Sequence, residues 1–465
     1  MKRKVVSVLL AGAMVASLTA CGGSGSSASA TTAATGSDAA ATTAGDSAAT
    51  TAGDSAATQT ADVASEDEHT LSVYAWDKNF NIPALQAAEA DYKKNVDPDF
   101  KLNIIEQSQS SDVETAITTA ASAGDFSTLP DIVLFQDHYI QNFVANYPDA
   151  WKDLSAADID WSDFGAEKLS YSTINDVHYG VPVDNGTVIF AYRTDLLEQA
   201  GYSIKDVTGI TWDKWIEIGS DVYDKTGKYL LSMDGDGNDL PYMMLQAEGK
   251  SQFDENGDPV LTGEDVKAVV DVIVRAQQAN ALYLANDWSD YTDQTIVGDM
   301  VAGVMNGNWI IPTIEQVAEN SGKWEITTMP TLKGGEGYAS NGGSSLYVTA
   351  NCKNVDLAND FLAKTFGAGS TETYDEALTK GGVITCSTKA GSSEVYNQGV
   401  EYFNNQPIYS TIVEYGTHVP VVKQSDYHYT AREQLAAAIQ NILGGADIDS
   451  SLKDAQDQLM FAMGK

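Results

Sequence analysis

Two α/β lobes are the fold class that the sequence predicts, and three observations carry that reading. The chain has 465 residues, more than one ordinary hydrophobic core accommodates. From Leu71 onward, short apolar runs alternate with stretches of helical period. The alternation changes style near Asp184 and returns to its first style after Pro330, as expected of a chain that crosses between lobes near residues 184 and 329.

Composition bounds the function. A hydrophobic content of 43%, with 8 Trp, 22 Tyr and 12 Phe, supplies a sizeable interior. The formal net charge of -38 repels phosphate backbones and anionic headgroups, and no Lys/Arg cluster follows the first four residues. Nucleic acid is therefore not an expected partner. Three Cys in a chain of this length cannot build a disulfide framework. No CxxC pair or closely spaced His set offers metal ligands, so neither metal nor cofactor is expected. A bond between Cys352 and Cys386 stays open.

At the N-terminus, Lys2, Arg3 and Lys4 precede an uncharged run from Val5 to Ala20, the pattern of a secretory signal peptide. The stretch Leu18-Thr19-Ala20-Cys21-Gly22 resembles the lipobox of bacterial lipoproteins. It implies a lipoprotein signal peptide over 1–20 and a lipid on Cys21, anchoring the protein to the cell membrane on its extracellular face. Residues 21–68 are rich in Ala, Thr, Ser and Gly, and an octad repeats at 41–48 and 49–56. Nothing there offsets the entropy of ordering, so the segment reads as a disordered tether.

The folded body opens with a strand at Leu71 to Trp76. A helix follows over Ile82 to Lys94, with Pro83 in its first turn and Leu85, Ala88 and Tyr92 on one stripe. Leu102 to Gln107 is the next strand. Ser111 with Glu114 forms a capping box for a helix ending at Gly124, and Asp131 to Phe135 is the third strand. Short links between these elements predict a doubly wound parallel unit. Thr187 to Tyr192 then reads as a strand, and Thr211 caps a helix carrying Trp215, Ile218 and Val222. A helix over Val266 to Ala279 and strands over Val301 to Met305, Glu325 to Thr328 and Ser345 to Thr349 come next. Helices over Leu357 to Phe366, Thr430 to Leu443 and Ser451 to Met463 close the chain.

In doubly wound sheets, ligands sit beyond the carboxyl ends of the strands. That rule selects Trp76 and Asp77, Gln107 and Ser108, and Gln136, Asp137 and His138. Trp212 and Trp215, at a helix start, read as core. Trp288 lies in a polar loop and reads equally as a cleft rim or as a structural ring. Asp77 and Asp184 suit turns as well as they suit hydroxyl acceptors. The run Asp234 to Asp239 begins like a calcium loop but has Asp239 at the Gly position and Leu245 at the Glu position, so it reads as a turn.

Several blocks taken together resemble extracellular solute-binding proteins of the maltose-binding type, the receptors of carbohydrate ABC importers. They are Leu129 to Val133, Tyr179 to Asp184, Tyr192 to Gly201, Thr211 to Trp215, Asn306-Gly307-Asn308-Trp309, Gly342-Gly343 to Ala350, and Gly444 to Leu459. The resemblance spans roughly Leu71 to Met463. It implies a two-lobed periplasmic-binding-protein-like fold with a hinge and an interlobe cleft, one lobe from 69–184 plus 330–388 and the other from 185–329 plus 389–465. It further implies a monomer that captures a sugar, most simply an oligosaccharide, and passes it to permease subunits.

By the same resemblance Trp309 stacks the sugar, with Trp76, Tyr242 of Pro241-Tyr242, and Tyr427 or Tyr429 as further rings. Asp77, Gln136, Asp137, Asp184 and Asn185 are the expected hydroxyl partners. Phe135 stands where some members carry Trp, which puts maltose itself in doubt. The competing class is a surface-anchored carbohydrate-active hydrolase. It would need a catalytic carboxylate pair, but with 65 acidic residues a pair proves nothing, and no GxSxG, HExxH, Walker or GxGxxG motif occurs in the folded part.

Overall fold

Strand β1 (Thr70–Ala75) pairs in parallel with β2 (Lys101–Glu106) on one side and with β3 (Ile132–Gln136) on the other. The structure, a computed structural model, describes residues 63–233, 239–367 and 369–465. The signal peptide, Cys21, the tether as far as residue 62 and the run 234–238 lie outside the described residues. Helices α1 (Asn81–Asn95) and α2 (Ser110–Ala123) make the crossovers, as the alternating pattern predicts. One local expectation is corrected. The capping box of α2 is built by Gln109 and Asp112, not by Ser111 and Glu114, because the helix starts at Ser110 and puts Asp112 at its third position.

Helices α3 (Asp137–Asn146) and α4 (Ala166–Ser172) follow, with a two-residue hairpin of β4 (Thr173–Ile174) and β5 (Val177–His178). Next comes β6 (Gly180–Arg193), fourteen residues long and buried throughout. The sequence reading found only its second half, since Pro182, Asp184, Asn185 and Gly186 look like loop residues. Then come α5 (Thr194–Ala200), α6 (Trp212–Thr226), β7 (Leu231–Met233), α7 (Asp239–Ala247), α8 (Glu264–Gln278), β8 (Leu282–Leu284) and β9 (Gly303–Gly307). After these are α9 (Ile311–Ile314), β10 (Trp324–Thr327) and β11 (Ser340–Val348). The chain ends with α10 (Val355–Lys364), α11 (Thr371–Gly381), α12 (Ile408–His418), α13 (His428–Leu443) and α14 (Ile448–Ala462).

The principal sheet has the order β10-β6-β11-β3-β1-β2, with β9 also on β6. It is mixed: β11 runs antiparallel to both β3 and β6. The two ends of β6 serve different cores. Val181 and Val183 pack with Leu71, Val73, Leu85, Phe361 and Leu346. Phe190 and Tyr192 pack with Trp212, Trp215, Val269 and Leu435, and Ile189 and Ala191 pack with Tyr291, Trp324 and Phe403. A further cluster of Val113, Ile117, Phe135, Phe143 and Trp151 lies on the other side of the parallel strands. Trp212 and Trp215 are core residues, as read from the sequence, and Trp215 donates its indole N–H to the Tyr192 hydroxyl at 2.8 Å. Cys352 and Cys386 are both buried free thiols, so no disulfide joins them.

The change of core along β6 falls at Asp184 to Thr187, where the strand faces the Ser340 to Ser344 stretch of β11. Gly186 permits the approach: a Cβ there would lie 2.6 Å from the carbonyl carbon and oxygen of Gly342 and 2.7 Å from the Asn341 oxygen. Those are backbone atoms and have little room to yield. Gly186→Ala is expected to cost about 1–3 kcal/mol, measured by urea unfolding; an unchanged midpoint would show that the two strands separate freely.

Candidate functional site

A cavity of about 310 Å³ opens beside this strand contact, at the lower end of the ~300–1,000 Å³ range of small-molecule sites. Four aromatic side chains line it: Trp76 and Phe80 from the segment between β1 and α1, Trp309 just after β9, and Tyr429 in the first turn of α13. The polar lining comes from Asn81, Gln136, His138, Asp184, Asp239, Asn341, Ser344 and Arg432, with the backbone of Gly342 and Gly343 between them. Gln136 and His138 stand at the β3–α3 junction, as the strand-end rule predicts.

Two glycines shape the floor. Gly342 and Gly343 have φ of 91° and 95°, the left-handed region that disfavours a Cβ. A Cβ on Gly342 would also lie 2.9 Å from Trp309 Nε1, and one on Gly343 2.6 Å from an Asp137 carboxylate oxygen. The Trp309 indole N–H donates to the Asn341 carbonyl at 2.7 Å, which fixes the ring against β11. Asn341 extends this tie. Its amide donates to Asn306 Oδ1 at 2.8 Å, and its own Oδ1 accepts from both terminal nitrogens of Arg432 at 3.3 Å. Arg432 also forms an ion pair with Asp239.

Of the nine ligand residues predicted from sequence, Trp76, Gln136, Asp184 and Trp309 line this cavity; Asp77, Asp137, Asn185, Tyr242 and Tyr427 do not. Asp77 is exposed and accepts from the Asn79 backbone N–H at 2.8 Å, the turn role open to it from the start. Asp137 is buried beneath the floor in an ion pair with Lys168 and accepts from the Ser345 hydroxyl at 2.9 Å. Asn185 is buried against Gly416, where a Cβ would lie only 2.1 Å from its amide nitrogen. Tyr242 is buried behind the lining: its hydroxyl lies 3.3 Å from that of Tyr171, and its ring is 4.9 Å from the Arg432 guanidinium carbon. Tyr427 packs on the core of α6 and α8 two residues before the ring that does line the cavity, Tyr429.

Sequence reasoning missed Phe80, Asn81, Asp239, Asn341, Ser344 and Arg432. Arg432 had a usable signal: it is one of only four Arg in the chain and sits on the Ala431–Leu435–Ala438 face of α13, which should be apolar. His138 was selected by the strand-end rule but given no role.

The groups behind the lining are charged and dry. Burial pushes the Asp137 carboxyl up to about 6, against the pull of Lys168, and burial likewise raises Asp184 above the usual carboxylate range. Lys168 loses solvation, but the carboxylates of Asp137 and Asp184 outweigh that loss and hold it above its ordinary value. Its ammonium also donates to the Ser344 carbonyl at 2.8 Å. The His138 and His428 rings stack at 4.8 Å. Burial, reinforced by Arg432, holds both well below the ordinary histidine range; Lys168 adds to this at His138, and His138 adds to it at His428.

The two histidines give a stability term with a definite sign. Unfolded, each takes a proton near ~6.5; folded, each takes it only at lower pH. Between those values the unfolded chain binds more protons, so this contribution to stability falls as pH falls below ~6.5. Asp137 acts oppositely between about 6 and its unfolded value of 3.8, because there the folded chain binds the extra proton. His428→Gln isolates the histidine part. Its melting temperature is expected to drop less than that of the parent protein between about pH 7.5 and pH 5.5, and parallel curves would mean that the ring pair does not couple to folding.

Comparison with known proteins places this geometry. The family model described as bacterial extracellular solute-binding protein matches residues 87–404. The lactose-binding protein of Rhizobium radiobacter is 31% identical over 391 residues, covering 83% of this chain and 92% of that protein. The arabinooligosaccharide-binding protein of Bacillus subtilis (strain 168) is 25% identical over 256 residues, covering 52% and 57%. Among solved structures, the GacH receptor of Streptomyces glaucescens, determined unliganded and with acarbose, superposes with a TM-score of 0.67 at 17% identity, covering 84% of this chain and 97% of that one. A binding protein from B. animalis subsp. lactis in complex with β-1,6-galactobiose gives 0.65 at 20% identity, covering 84% and 96%. The fold is the two-lobed α/β architecture of these proteins. On the extent of the match in sequence, the chain belongs to the bacterial extracellular solute-binding protein family.

Proposed function

We propose that the protein captures a carbohydrate in the cavity beside β6 and β11 and delivers it to the permease subunits of an ABC importer. Members of this family bind solutes and do not convert them, and the relatives that support the sugar assignment are named for lactose and arabinooligosaccharides. One observation carries the reading: Trp76, Phe80, Trp309 and Tyr429 converge with Gln136, Asp184, Asp239, Asn341 and Arg432 on a single cavity. A saccharide needs both kinds of group. Its C–H faces lie against aromatic rings while its hydroxyls pair with carboxylates, amides and guanidinium.

In this proposal Trp309 is the main platform, held ready by its bond to Asn341. Trp76 and Tyr429 add lateral rings, and Gln136 and Asp184 accept hydroxyl protons. Tyr242, Asp137 and Asn185 act one layer back by fixing Tyr171, Lys168 and the β6–β11 contact. The two lobes are taken as 69–184 with 330–388 and 185–329 with 389–465; the change of core along β6 at residues 184–187 supports the first boundary, whereas Leu332 and Ala339 pack with Trp212 and Trp215 and draw the second boundary toward Ser340. Closure on the sugar would rotate one lobe against the other about β6 and about the Thr328 to Thr331 segment.

Trp309→Ala is expected to weaken sugar binding about thirtyfold or more, the equivalent of ~2 kcal/mol, while the unliganded melting temperature moves little. Thermal shift against a panel of mono- and oligosaccharides reads both quantities. A large fall in unliganded stability with normal binding by the folded fraction would move the site elsewhere.

The same proposal places the body outside the cell as a monomer, tethered through a lipid on Cys21, on the strength of the Leu18 to Gly22 motif and the spacer behind it. Cys21→Ala is expected to release the protein into the medium or leave it uncleaved; a processed variant that still fractionates with membranes would defeat the assignment.

A further inference from the structure

Trp288 is 49% exposed and is the largest of the exposed hydrophobic side chains among the described residues. It does not line the cavity, yet its ring centroid lies 5.8 Å from that of Trp309, with 41° between the planes. Leaving half an indole in water forgoes burial that a folded chain normally exploits. A ring kept exposed by a rigid support, next to a cavity ring, is therefore organised for something other than the core.

The support is specific. Asp290 accepts from the Asn286 backbone N–H and side-chain amide, both at 2.8 Å, and from the Tyr283 hydroxyl at 3.2 Å, closing the loop around Trp288. The Asp290 N–H donates to Asp287 at 2.8 Å, and the Trp288 carbonyl accepts from the Thr292 hydroxyl at 2.9 Å. The Trp288 ring rests 5.2 Å from the buried ring of Tyr291. The Tyr291 hydroxyl donates to the Met305 carbonyl at 2.6 Å, on the strand that leads directly into Trp309. The turn Asp290–Val297 is π-helical, a local irregularity that often marks functional positions. Trp288 and Trp309 are thus set in place by one network, and little ordering entropy is left to lose when a ligand covers the outer ring.

We propose that Trp288 is the platform of an outer subsite that holds a second glycosyl unit as a bound oligosaccharide leaves the cavity, so that Trp288 sets the preference for ligand length. The proposal rests on the carbohydrate reading of the cavity. The 5.8 Å separation is comparable to the length of one pyranose unit, so adjacent units of one chain can reach both rings. The 41° tilt means that the two units do not lie in one plane, which favours a chain that bends at the cavity mouth over a flat ribbon. The ring also continues the aromatic wall of an established cavity instead of standing alone on the surface, and its neighbours Asn286, Asp287 and Ser289 are exposed groups that can pair with hydroxyls.

The experiment uses the full folded body with glucose, galactose, arabinose, lactose, β-1,6-galactobiose, maltotriose and arabinotriose as probes, titrated by calorimetry against the parent protein, Trp288→Ala and Trp288→Phe. Trp288→Ala is expected to keep the parent melting temperature. It should lose about tenfold in affinity for each disaccharide or trisaccharide that the parent binds, bind any monosaccharide as the parent does, and be largely rescued by Trp288→Phe. Oxidative footprinting supplies a second readout: Trp288 should be protected by the longer sugars and left reactive by monosaccharides. Unchanged affinity for every longer sugar, an equal loss for monosaccharides, or a Trp288 that stays reactive in a saturated oligosaccharide complex would each overturn the proposal. If the parent binds no probe at all, the carbohydrate reading fails first and the outer subsite falls with it.

Discussion

A lysine buried under the cavity floor sets the position of everything above it. Lys168 and Asp137 are both almost wholly out of water and form an ion pair, to which Lys168 adds a bond to the Ser344 carbonyl. Desolvating two charges costs several kcal/mol each, so such a pair is a poor source of net stability. What it supplies is geometry. Ser344 is held from below by Lys168, and its own N–H and hydroxyl are accepted by Asp184. Asp184 is thereby fixed with one face on β11 and the other toward the cavity. Removing either partner of the buried pair would leave an uncompensated charge, at a cost of about 3–5 kcal/mol, and would free the strand segment that carries Gly342 and Gly343.

The same segment ties the two ends of the site together. Gly343 lies against Asp137, Gly342 lies against the Trp309 indole, and Asn341 accepts from both Trp309 and Arg432. Three consecutive residues of β11, Asn341 to Gly343, therefore touch groups contributed by α3, by the turn after β9 and by α13. No helix or strand is itself the site; the site is the place where β11 passes close to all three. The absence of side chains at Gly186, Gly342 and Gly343 makes that passage possible.

Much of the fold was legible because its elements obey single-period rules. The parallel β1–β2–β3 unit, the helix capped by Thr211 and the helices near the C-terminus all follow from apolar spacing, with ends displaced by up to three residues. The strand β6 was half missed because its first half carries Pro182, Asp184, Asn185 and Gly186, which are loop residues by local propensity; tertiary burial overrides propensity there. The site divides along the same line. Trp76 and Gln136 follow from strand ends, which local pattern reveals. Arg432 and Asp239 meet across 193 positions of sequence, and no local pattern links a helical arginine to the start of another helix. Asp137 is expected at the ligand because polar residues at strand ends are read as facing outward, and Tyr242 because Pro241-Tyr242 resembles a ring-bearing pair of the family. Asp137 instead turns under the floor toward Lys168, and Tyr242 turns back against Tyr171.

The electrostatics of the cavity bear on which solutes suit it. Its lining carries two carboxylates, Asp184 and Asp239, and one guanidinium, Arg432, whose charge is already opposed by Asp239. Asp184 is committed on one side to Ser344 and is raised above the usual carboxylate range by burial. An anionic solute entering this site would meet the carboxylates of Asp184 and Asp239 on a body of formal net charge -38, with the one guanidinium of the lining already opposed by Asp239. A cation would find acceptors, but it would have to give up its hydration against four aromatic walls and beside the Arg432 guanidinium. A neutral polyol escapes both penalties. In the proposed site it could exchange water hydrogen bonds for bonds to groups such as Gln136 and Asp184, and lay its C–H faces against the rings. That balance, set by groups fixed before any solute arrives, is what makes an uncharged sugar the fitting occupant.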